Sequence, residues 1–425
     1  MSDLRTRVAT WAGRLATRTL VRGGVDLAQL TIIPERVKFP LRRQGTDPVG
    51  KLARVRSEGP LYELKLPFPM RVWLVAGHAE SRVVLTDKTS YSNDIRHLFS
   101  GEGPTTGDDI GGLGFTDPPT HTRLRKIVTP EFTMRRLARM EPIITKIAER
   151  QLEELAAAGP PADLARHVAF PVPFQTITSL LGIDYEDAAT FQRLGGARFD
   201  VTGGAAAFGA MSDQREFLFE TVARQRRAPG PGLIGQIIRN EGDSLTDAEL
   251  TGLADGIFTG GFETTAGMIA LGTIVLLRDP DHAKLVRDGS PDEVDTVVEE
   301  LLRYLSVVQL AFPRFAKQDM ELFGRRIRKG DVLLASLPGA NRDPRVAGAK
   351  PDLFDPFRVP ASGHLAFGHG IHRCIGAELA RMELRIVLPR LFQRFPDLAL
   401  AVPEEDIAFR QLSFVYGVES LPVTF

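Results

Sequence analysis

The sequence is nearly devoid of cysteine: Cys374 is the only one among 425 residues. A single cysteine excludes an internal disulfide, and such a composition fits a reducing compartment. An excess of charge is also lacking, because 53 lysines and arginines balance 53 aspartates and glutamates. That balance gives no indication of nucleic acid or another polyanion as a partner. Hydrophobic residues make up 43% of the chain, which is enough for a large core and excludes a disordered chain.

The N-terminal segment lacks the features of a signal peptide and the ~20 apolar residues that span a bilayer. Apolar residues from Leu4 to Leu15 instead recur at helical spacing among arginines. This pattern indicates a basic amphipathic helix, packed either on the protein or on a membrane surface. We therefore expect residues 1–45 to form an N-terminal amphipathic extension, residues 46–425 to form a single domain, and the protein to be cytoplasmic.

Helical patterns clearly outnumber strand patterns, and the chain shows no internal repeat and no βαβ alternation. A loop at 93–114, rich in Gly, Ser, Thr and Asp, has the length of a functional or mobile loop. Helices are expected across 134–158 and 172–226. Strand-like segments are expected at 61–66, at 71–76, in a hairpin that joins 320–323 to 331–336, and in a final run at 412–425. These patterns predict a mainly α fold with a smaller β-rich part, the α+β class.

One long central helix is predicted from its start signal. Thr246 and Glu249 form a capping box, and the apolar pattern continues to Leu277, where an Asp-Pro pair follows. The helix is apolar on nearly every face and should be buried. Asp255 and Glu263 would each cost roughly 2.5–3.5 kcal/mol at a bilayer centre, so we favour a core helix over a membrane span.

The segment Gly260-Gly-Phe-Glu263-Thr264-Thr interrupts this helix with unusual residue types. Two adjacent glycines cost about 1 kcal/mol each relative to alanine in a helix interior. Small residues allow a flat ligand to lie against the backbone, and a threonine hydroxyl can bond to a carbonyl one turn back and loosen the helix. The alternative is a kinked core helix with a satisfied acid.

The segment Phe367-Gly-His-Gly-Ile-His-Arg-Cys374-Ile-Gly376 surrounds the cysteine with glycines. Glycine permits positive φ and the close approach of a bulky group. A helix expected near Ala377 directs free N–H groups at the sulfur, which favours the thiolate. Haem iron accepts such a ligand. The alternative is a cysteine that serves as a small buried hydrophobe.

Ser290-Pro-Asp-Glu293 caps another helix that extends to about Leu305. It contains Glu300-Leu-Leu-Arg303, with the acid and the arginine one turn apart. Pairs at this spacing are common on helix surfaces and stabilise the helix by a few tenths of a kcal/mol. Alone, the pair does not indicate a function.

Together these motifs resemble those of the cytochrome P450 family, the haem-thiolate monooxygenases. The cysteine segment, followed by Ala380 and Glu383, is similar to the haem-loop signature of bacterial, soluble members. Gly-Gly-x-Glu-Thr-Thr resembles the oxygen-binding motif, and Glu-x-x-Arg resembles the salt-bridge motif upstream of the cysteine. The resemblance covers the chain from about residue 60 to residue 425. It implies the family's triangular-prism fold, haem b as cofactor, and one haem-thiolate domain at 46–425.

The resemblance also implies roles for individual residues. Cys374 would be the axial ligand of the haem iron, Thr264 would hydrogen-bond dioxygen, and Glu263 would relay protons. The carboxylates of haem need cationic or hydrogen-bonding partners when buried. The positions that match the family's propionate partners are His121, Arg125, Arg314 and His372. Structural roles are implied for Glu300, Arg303, Phe367, Gly370 and Gly376.

The implied reaction is hydroxylation or epoxidation of a small apolar organic substrate with O2 and two electrons. The positions matching a substrate pocket are Phe258, Phe262, Leu310, Ala311, Phe312 and Phe414. No dinucleotide or flavin fingerprint is present, so we expect a separate donor, either ferredoxin with its reductase or a flavodoxin-type protein. Candidate docking residues on a monomer are Arg135, Arg136, Arg373 and Arg381, with a solvated basic face as the alternative. Alternative functions are a haem-thiolate peroxygenase or isomerase and a non-enzymatic haem-binding sensor or carrier.

Overall fold

The computed structural model describes residues 38–66, 70–94, 112–183 and 205–425. The predicted N-terminal helix and most of the predicted 93–114 loop lie outside these residues. The described end of the predicted extension contacts the folded domain. Phe39 is buried, and Arg43 donates a hydrogen bond to the Leu305 carbonyl oxygen at 2.7 Å. The boundary at residue 45 stays a prediction, but packing contacts begin before it.

Helices form the larger part of the described chain, as predicted. In chain order they are α1 (Lys51–Glu58), α2 (His78–Thr86), α3 (Thr120–Val128), α4 (Met134–Leu137), α5 (Glu141–Ala158), α6 (Pro171–Leu181), α7 (Ala205–Arg227), α8 (Leu233–Glu241), α9 (Asp247–Leu277), α10 (Pro280–Asp288), α11 (Pro291–Leu305), α12 (Leu337–Asn341), α13 (Pro344–Ala347) and α14 (Ala377–Arg394). Short 3-10 turns join several of them, including one at Gly370–His372.

Local start signals determine where two of these helices begin. At α9 the Thr246 hydroxyl accepts from the Glu249 N–H, and Glu249 accepts from the Thr246 N–H. Ser290 and Glu293 form the same capping box at α11. Both caps confirm the predictions, because a capping box satisfies backbone donors with side chains only three residues away.

Helix α9 crosses the centre of the molecule. Its 31 residues correspond to ~46 Å at a rise of ~1.5 Å per residue. It packs against α6, α7 and α14, and most of its apolar residues are buried. Among the described helices it is the one long and apolar enough to cross a bilayer, but 72% of its most apolar window is buried inside the protein. It is therefore the core helix that the sequence predicted.

The described strands form four small sheets. The strands are β1 (Arg43–Gln44), β2 (Asp47–Pro48), β3 (Tyr62–Leu64), β4 (Val72–Val75), β5 (Tyr91–Ser92), β6 (Ala162–Asp163), β7 (Arg314–Ala316), β8 (Met320–Leu322), β9 (Arg325–Ile327), β10 (Val332–Ala335), β11 (Ala399–Leu400) and β12 (Pro422–Thr424). The largest sheet has the order β3-β4-β10-β7-β5, and β10 runs parallel to β4 from the Val332–Val72 pair onward.

The predicted hairpin of 320–323 with 331–336 is wrong in its pairing. Strand β8 pairs instead with β9, and Gly324 supplies the positive φ of the turn. Strand β10 enters the large sheet between β4 and β7. Its apolar residues are mostly buried, which is typical of a strand covered on both faces rather than of an exposed hairpin.

The predicted continuous strand from 412 to 425 is also wrong. Within this range the described strand is β12 alone, which pairs with β11 and β6. Leu412 has a φ of 55° and therefore turns the chain out of an extended conformation. Residues 408–419 form a hairpin-like loop instead, with Phe409 opposite Val418. We call this segment the C-terminal loop.

Candidate active site

The segment around Cys374 forms a tight loop before α14. The Cys374 N–H donates to the Phe367 carbonyl oxygen at 2.8 Å, and Gly376 occupies the N-cap position of α14. Gly370 has a φ of 73°, and a Cβ there would lie 2.3 Å from the Leu85 carbonyl oxygen. Only glycine therefore allows the loop to lie this close to α2.

The surroundings of Cys374 act on the pKa of its thiol in two opposite directions. Cys374 keeps some exposed surface, but the protein around the thiol displaces enough water to raise its pKa above the ordinary value. The Gly376 N–H and the guanidinium groups of Arg125 and Arg373 act in the opposite direction and are outweighed. The helix start therefore does not by itself favour the thiolate. A metal ion bound to the sulfur would supply additional positive charge and favour the thiolate.

A cluster of buried nitrogen atoms lies beside this loop. The rings of His121 and His372 are 4.3 Å apart, which joins α3 to the cysteine loop. Arg314 on β7 is buried, donates to the Phe312 carbonyl oxygen at 3.0 Å and forms no ion pair with the described residues. Arg125 donates across to the Arg373 carbonyl oxygen at 2.7 Å.

The histidine nitrogens of this cluster are not fully satisfied within the described chain. Neither ring nitrogen of His121 has a hydrogen-bond partner there, and nor does Nδ1 of His372. Desolvation is the main cause that lowers the pKa of Arg314 to about 10, of His121 to about 4 and of His372 to about 3. Buried donors without acceptors are unfavourable and mark a site for an anionic group. Their chemistry fits the two carboxylates of haem, with a sulfur ligand for iron on the neighbouring loop.

The glycine-rich turn of α9 supplies the next part of the site. The Thr264 hydroxyl donates to the Gly260 carbonyl oxygen at 2.7 Å, which confirms the bond to the preceding turn. Gly260 is exposed although the helix around it is buried, and a Cβ there would meet no atom within 4 Å. The carboxylate of Glu263 forms an ion pair with Arg410 of the C-terminal loop. Arg410 was not predicted, because 147 residues separate it from Glu263 and no local pattern joins them.

The Glu300–Arg303 pair is buried and bidentate, with nitrogen–oxygen distances of 2.6 and 2.7 Å. Arg303 also donates to the carbonyl oxygens of Asn341, Pro351 and Leu353. Glu300 in turn accepts from the Asp355 N–H and from Arg358. The pair therefore connects α11 to the segment that leads toward the cysteine loop, which a surface ion pair does not do.

Similarity to known proteins agrees with this geometry. The family model described as Cytochrome P450 matches residues 293–416. Cytochrome P450 165B3 of Amycolatopsis orientalis is 38% identical over 394 residues, which cover 91% of this chain and 98% of that protein. Nocardicin C N-oxygenase of Nocardia uniformis subsp. tsuyamanensis is 37% identical, with coverage of 88% and 94%. A solved structure is also similar: that of OxyC, a cytochrome P450 implicated in an oxidative C–C coupling reaction during vancomycin biosynthesis. The two structures superpose with a TM-score of 0.82 at 38% identity. The match covers 91% of this chain and 96% of the OxyC chain. The chain belongs to the cytochrome P450 family.

Membership of the family confirms several predictions together. This P450 is a monooxygenase with haem b as its cofactor, and its mainly α fold with a smaller β-rich part is the P450 fold. The sequence motifs were sufficient for these conclusions. The roles of single residues stay predictions.

Three of the predicted pocket residues of this P450 lie in hydrophobic cores. Phe258 is fully buried and stacks on Phe262, and both pack edge-on against Phe174 of α6. Leu310 is buried with Phe39 in the β-rich part. The two phenylalanines of α9 lie on its core side, whereas Gly260 is exposed. Burial alone does not distinguish a pocket wall from a core, so the assignment of these residues to a substrate pocket stays a prediction.

Two other predicted pocket residues keep exposed surface. The side chain of Phe312 is 43% exposed, and that of Phe414 is 55% exposed. The Phe312 ring packs edge-on against Phe115 at 4.9 Å, and a Cβ on Gly114 would lie 2.4 Å from it. Ala311 is only partly buried beside α12. Phe312 and Phe414 are therefore the apolar candidates with surface available to a substrate.

The basic residues proposed for donor docking separate into two groups. Arg135 and Arg373 are exposed. Arg381 is mostly buried, pairs with Glu299 at 2.5 Å and lies over the Phe367 ring at 4.7 Å. Its contacts support the cysteine loop, so it does not offer a free charge to a partner. Arg136 is half exposed, and its Nε lies 3.8 Å from the buried carboxylate of Glu131.

Proposed function

We propose that this P450 hydroxylates or epoxidises an apolar organic substrate with O2 and two electrons from a separate donor. The observation that carries the proposal is the cluster of buried donors, His121, His372 and Arg314, beside the Cys374 loop. Such a cluster suits the carboxylates of haem, because both ring nitrogens of His121 and Nδ1 of His372 have no hydrogen-bond partner in the described chain. We also propose that residues 46–425 form one domain of a cytoplasmic monomer.

In this proposal Cys374 ligates the haem iron, and Arg125 joins the cluster as the fourth propionate partner. The bound haem supplies the activation of dioxygen, which no side chain provides. The Thr264 hydroxyl would serve as a hydrogen-bond donor to dioxygen, because it can exchange the Gly260 carbonyl oxygen for another acceptor. Glu263, the preceding residue, would supply protons from the side of the C-terminal loop.

The structural residues fix this arrangement. Gly370 lets the cysteine loop pass close to α2, Gly376 stands at the N-cap of α14, and the Phe367 carbonyl oxygen accepts a hydrogen bond from the Cys374 N–H. Glu300 and Arg303 hold the preceding segment. We propose that they determine how closely the loop presents its sulfur.

Two relatives favour a second candidate reaction. Nocardicin C N-oxygenase is named for an N-oxygenation, and OxyC is implicated in an oxidative C–C coupling. The exposed rings of Phe312 and Phe414 suit stacking on an aromatic substrate. The second candidate is therefore an oxidation, including C–C coupling, of an aromatic natural product larger than the small substrate first expected.

The donor in this proposal is a ferredoxin with its reductase or a flavodoxin-type protein. Exposed Arg135 and Arg373 supply positive charge near the cysteine loop, where an acidic carrier would dock. Mutation of either residue to glutamate should lower the association rate at low salt and leave substrate binding unchanged.

The first test is the absorption spectrum of the dithionite-reduced protein under carbon monoxide. Thiolate ligation predicts a red-shifted Soret band that is lost in Cys374→Ser. A carbonyl band without that shift in the wild-type protein would contradict the assignment. Product formation that requires NADPH and the donor excludes a sensor or carrier. Thr264→Ala should lose donor-driven oxidation and keep peroxide-driven oxidation, whereas equal retention of both would favour the peroxygenase alternative.

A further inference from the structure

The C-terminal loop lies directly against α9 beside the proposed oxygen site. It is closed by bonds from the Arg410 N–H to the Gly417 carbonyl oxygen and from the Glu419 N–H to the Ala408 carbonyl oxygen. A Cβ on Gly267 would lie 2.7 Å from the Tyr416 carbonyl oxygen. Glycine at this position therefore allows the backbone of the C-terminal loop to contact the backbone of α9 directly. This contact determines where along α9 the loop lies.

Arg410 connects the interior of the protein with its surface. Its guanidinium group pairs with Glu263 on the inner side and lies 3.4 Å from Glu419 on the outer side. The side chains of Arg410 and Glu263 are 14% and 13% exposed, whereas that of Glu419 is 63% exposed. The guanidinium carbon also lies 5.2 Å from the centre of the Phe170 ring, which restricts its movement.

A small cavity lies where these groups meet. Its volume of about 10 Å3 is at the lower limit for holding one water molecule, and it is bordered by Glu263, Gly267, Arg410 and Tyr416. Apolar side chains, including that of Phe170, form the remaining walls. Glu263 is therefore partly desolvated on this side, and its orientation depends strongly on the charge beside it.

We propose that Arg410 is a positioning residue that fixes the Glu263 carboxylate for proton delivery toward Thr264. Arginine does not release its proton at accessible pH, so it acts through charge and geometry and not as a member of the relay. Glu419 contributes little, because exposed ion pairs are screened by solvent. The inference rests on the proposed role of Glu263 and adds the residue that orients it.

The test uses the haem-loaded protein with NADPH, a ferredoxin and its reductase, and follows NADPH-driven O2 reduction without added substrate. Loss of a general acid lowers a rate by roughly 10²-fold, and we expect Glu263→Gln to approach that figure. Arg410→Met should lower the rate by about tenfold, because the acid remains but is misplaced. Arg410→Lys should restore most of the rate, and Glu419→Gln should remain close to wild type.

A double-mutant cycle supplies a readout other than activity. Arg410→Met, Glu263→Gln and the double variant are compared by thermal unfolding and by rate. We expect non-additive effects in both, because either single change already removes the same ion pair. Additive effects on the rate would overturn the role of Arg410 and leave the proton role of Glu263 standing. The same holds if Arg410→Met has the wild-type rate while Glu263→Gln is slow. A Glu263→Gln rate equal to that of wild type would overturn the proposed proton role itself.

Discussion

Gly260 and Gly267 lie two turns apart on α9, yet the structure predicts opposite effects of alanine at these positions. Alanine improves helix propensity by about 1 kcal/mol at either site. At Gly260 the added Cβ meets no atom within 4 Å, whereas at Gly267 it would lie 2.7 Å from the Tyr416 carbonyl oxygen. The Tyr416 N–H donates to the Val307 carbonyl oxygen at 2.8 Å, so the loop cannot retreat freely.

These contacts determine the magnitudes. We expect Gly260→Ala to raise the free energy of unfolding by about 1 kcal/mol, the full gain in propensity. Gly267→Ala has the same gain but also an overpacking cost of about 1–3 kcal/mol, so its net effect is between zero and a loss of about 2 kcal/mol. At ~2.1 cal/mol/K per residue, 1 kcal/mol shifts the Tm of 425 residues by only about 1 °C.

Urea unfolding of the haem-free protein is therefore the better assay, because the contacts of Gly260 and Gly267 that set these magnitudes are those of the polypeptide alone. Gly272→Ala is the matched control, because its Cβ would meet only the flexible end of Leu301, at 3.4 Å. It should behave like Gly260→Ala. Equal stabilisation by Gly260→Ala and Gly267→Ala would refute the close contact of the C-terminal loop with α9, and destabilisation by Gly260→Ala would refute the open space at that turn.

Three further predictions concern buried charges. Arg303→Met should destabilise the protein by about 3–5 kcal/mol in urea unfolding, because it removes a buried ion pair and three bonds to carbonyls, whereas exposed Arg326→Met should have little effect. Burial raises the pKa of Glu383 from 4.5 to about 8, so the folded protein holds this proton and its stability falls as the pH rises between those values. Glu383→Gln should remove that decline, and an unchanged pH dependence of unfolding would contradict it. Arg314→Leu should stabilise the apoprotein and weaken haem retention, since the buried guanidinium lacks an acidic partner in the described chain; loss of both or gain of both would refute this.

The features that were predicted correctly from the sequence depend on residues that are close together along the chain. The capping boxes at Thr246 and Ser290 join residues three apart, and the cysteine loop needs glycines only at its own turns. Strand β10 was assigned to the wrong partner because its neighbours, β4 and β7, are chosen by burial of both faces. The Glu263–Arg410 pair was missed because nothing in the sequence brings two residues 147 positions apart into contact.

The same distinction explains which site residues can be recognised without a structure. A motif such as Gly-Gly-x-Glu-Thr-Thr is enough to predict the hydrogen bond of Thr264, because the acceptor, the Gly260 carbonyl oxygen, lies in the same motif. The motif predicts that Glu263 is acidic but not how its carboxylate is oriented, since the carboxylate is paired with Arg410, which lies outside the motif. Two P450 chains with the same motif can therefore differ in how their acid is held. Exchange of residues 408–419 with those of a relative should transfer that difference while the motif stays constant, and an unchanged rate of O2 reduction after the exchange would show that α9 alone orients the acid.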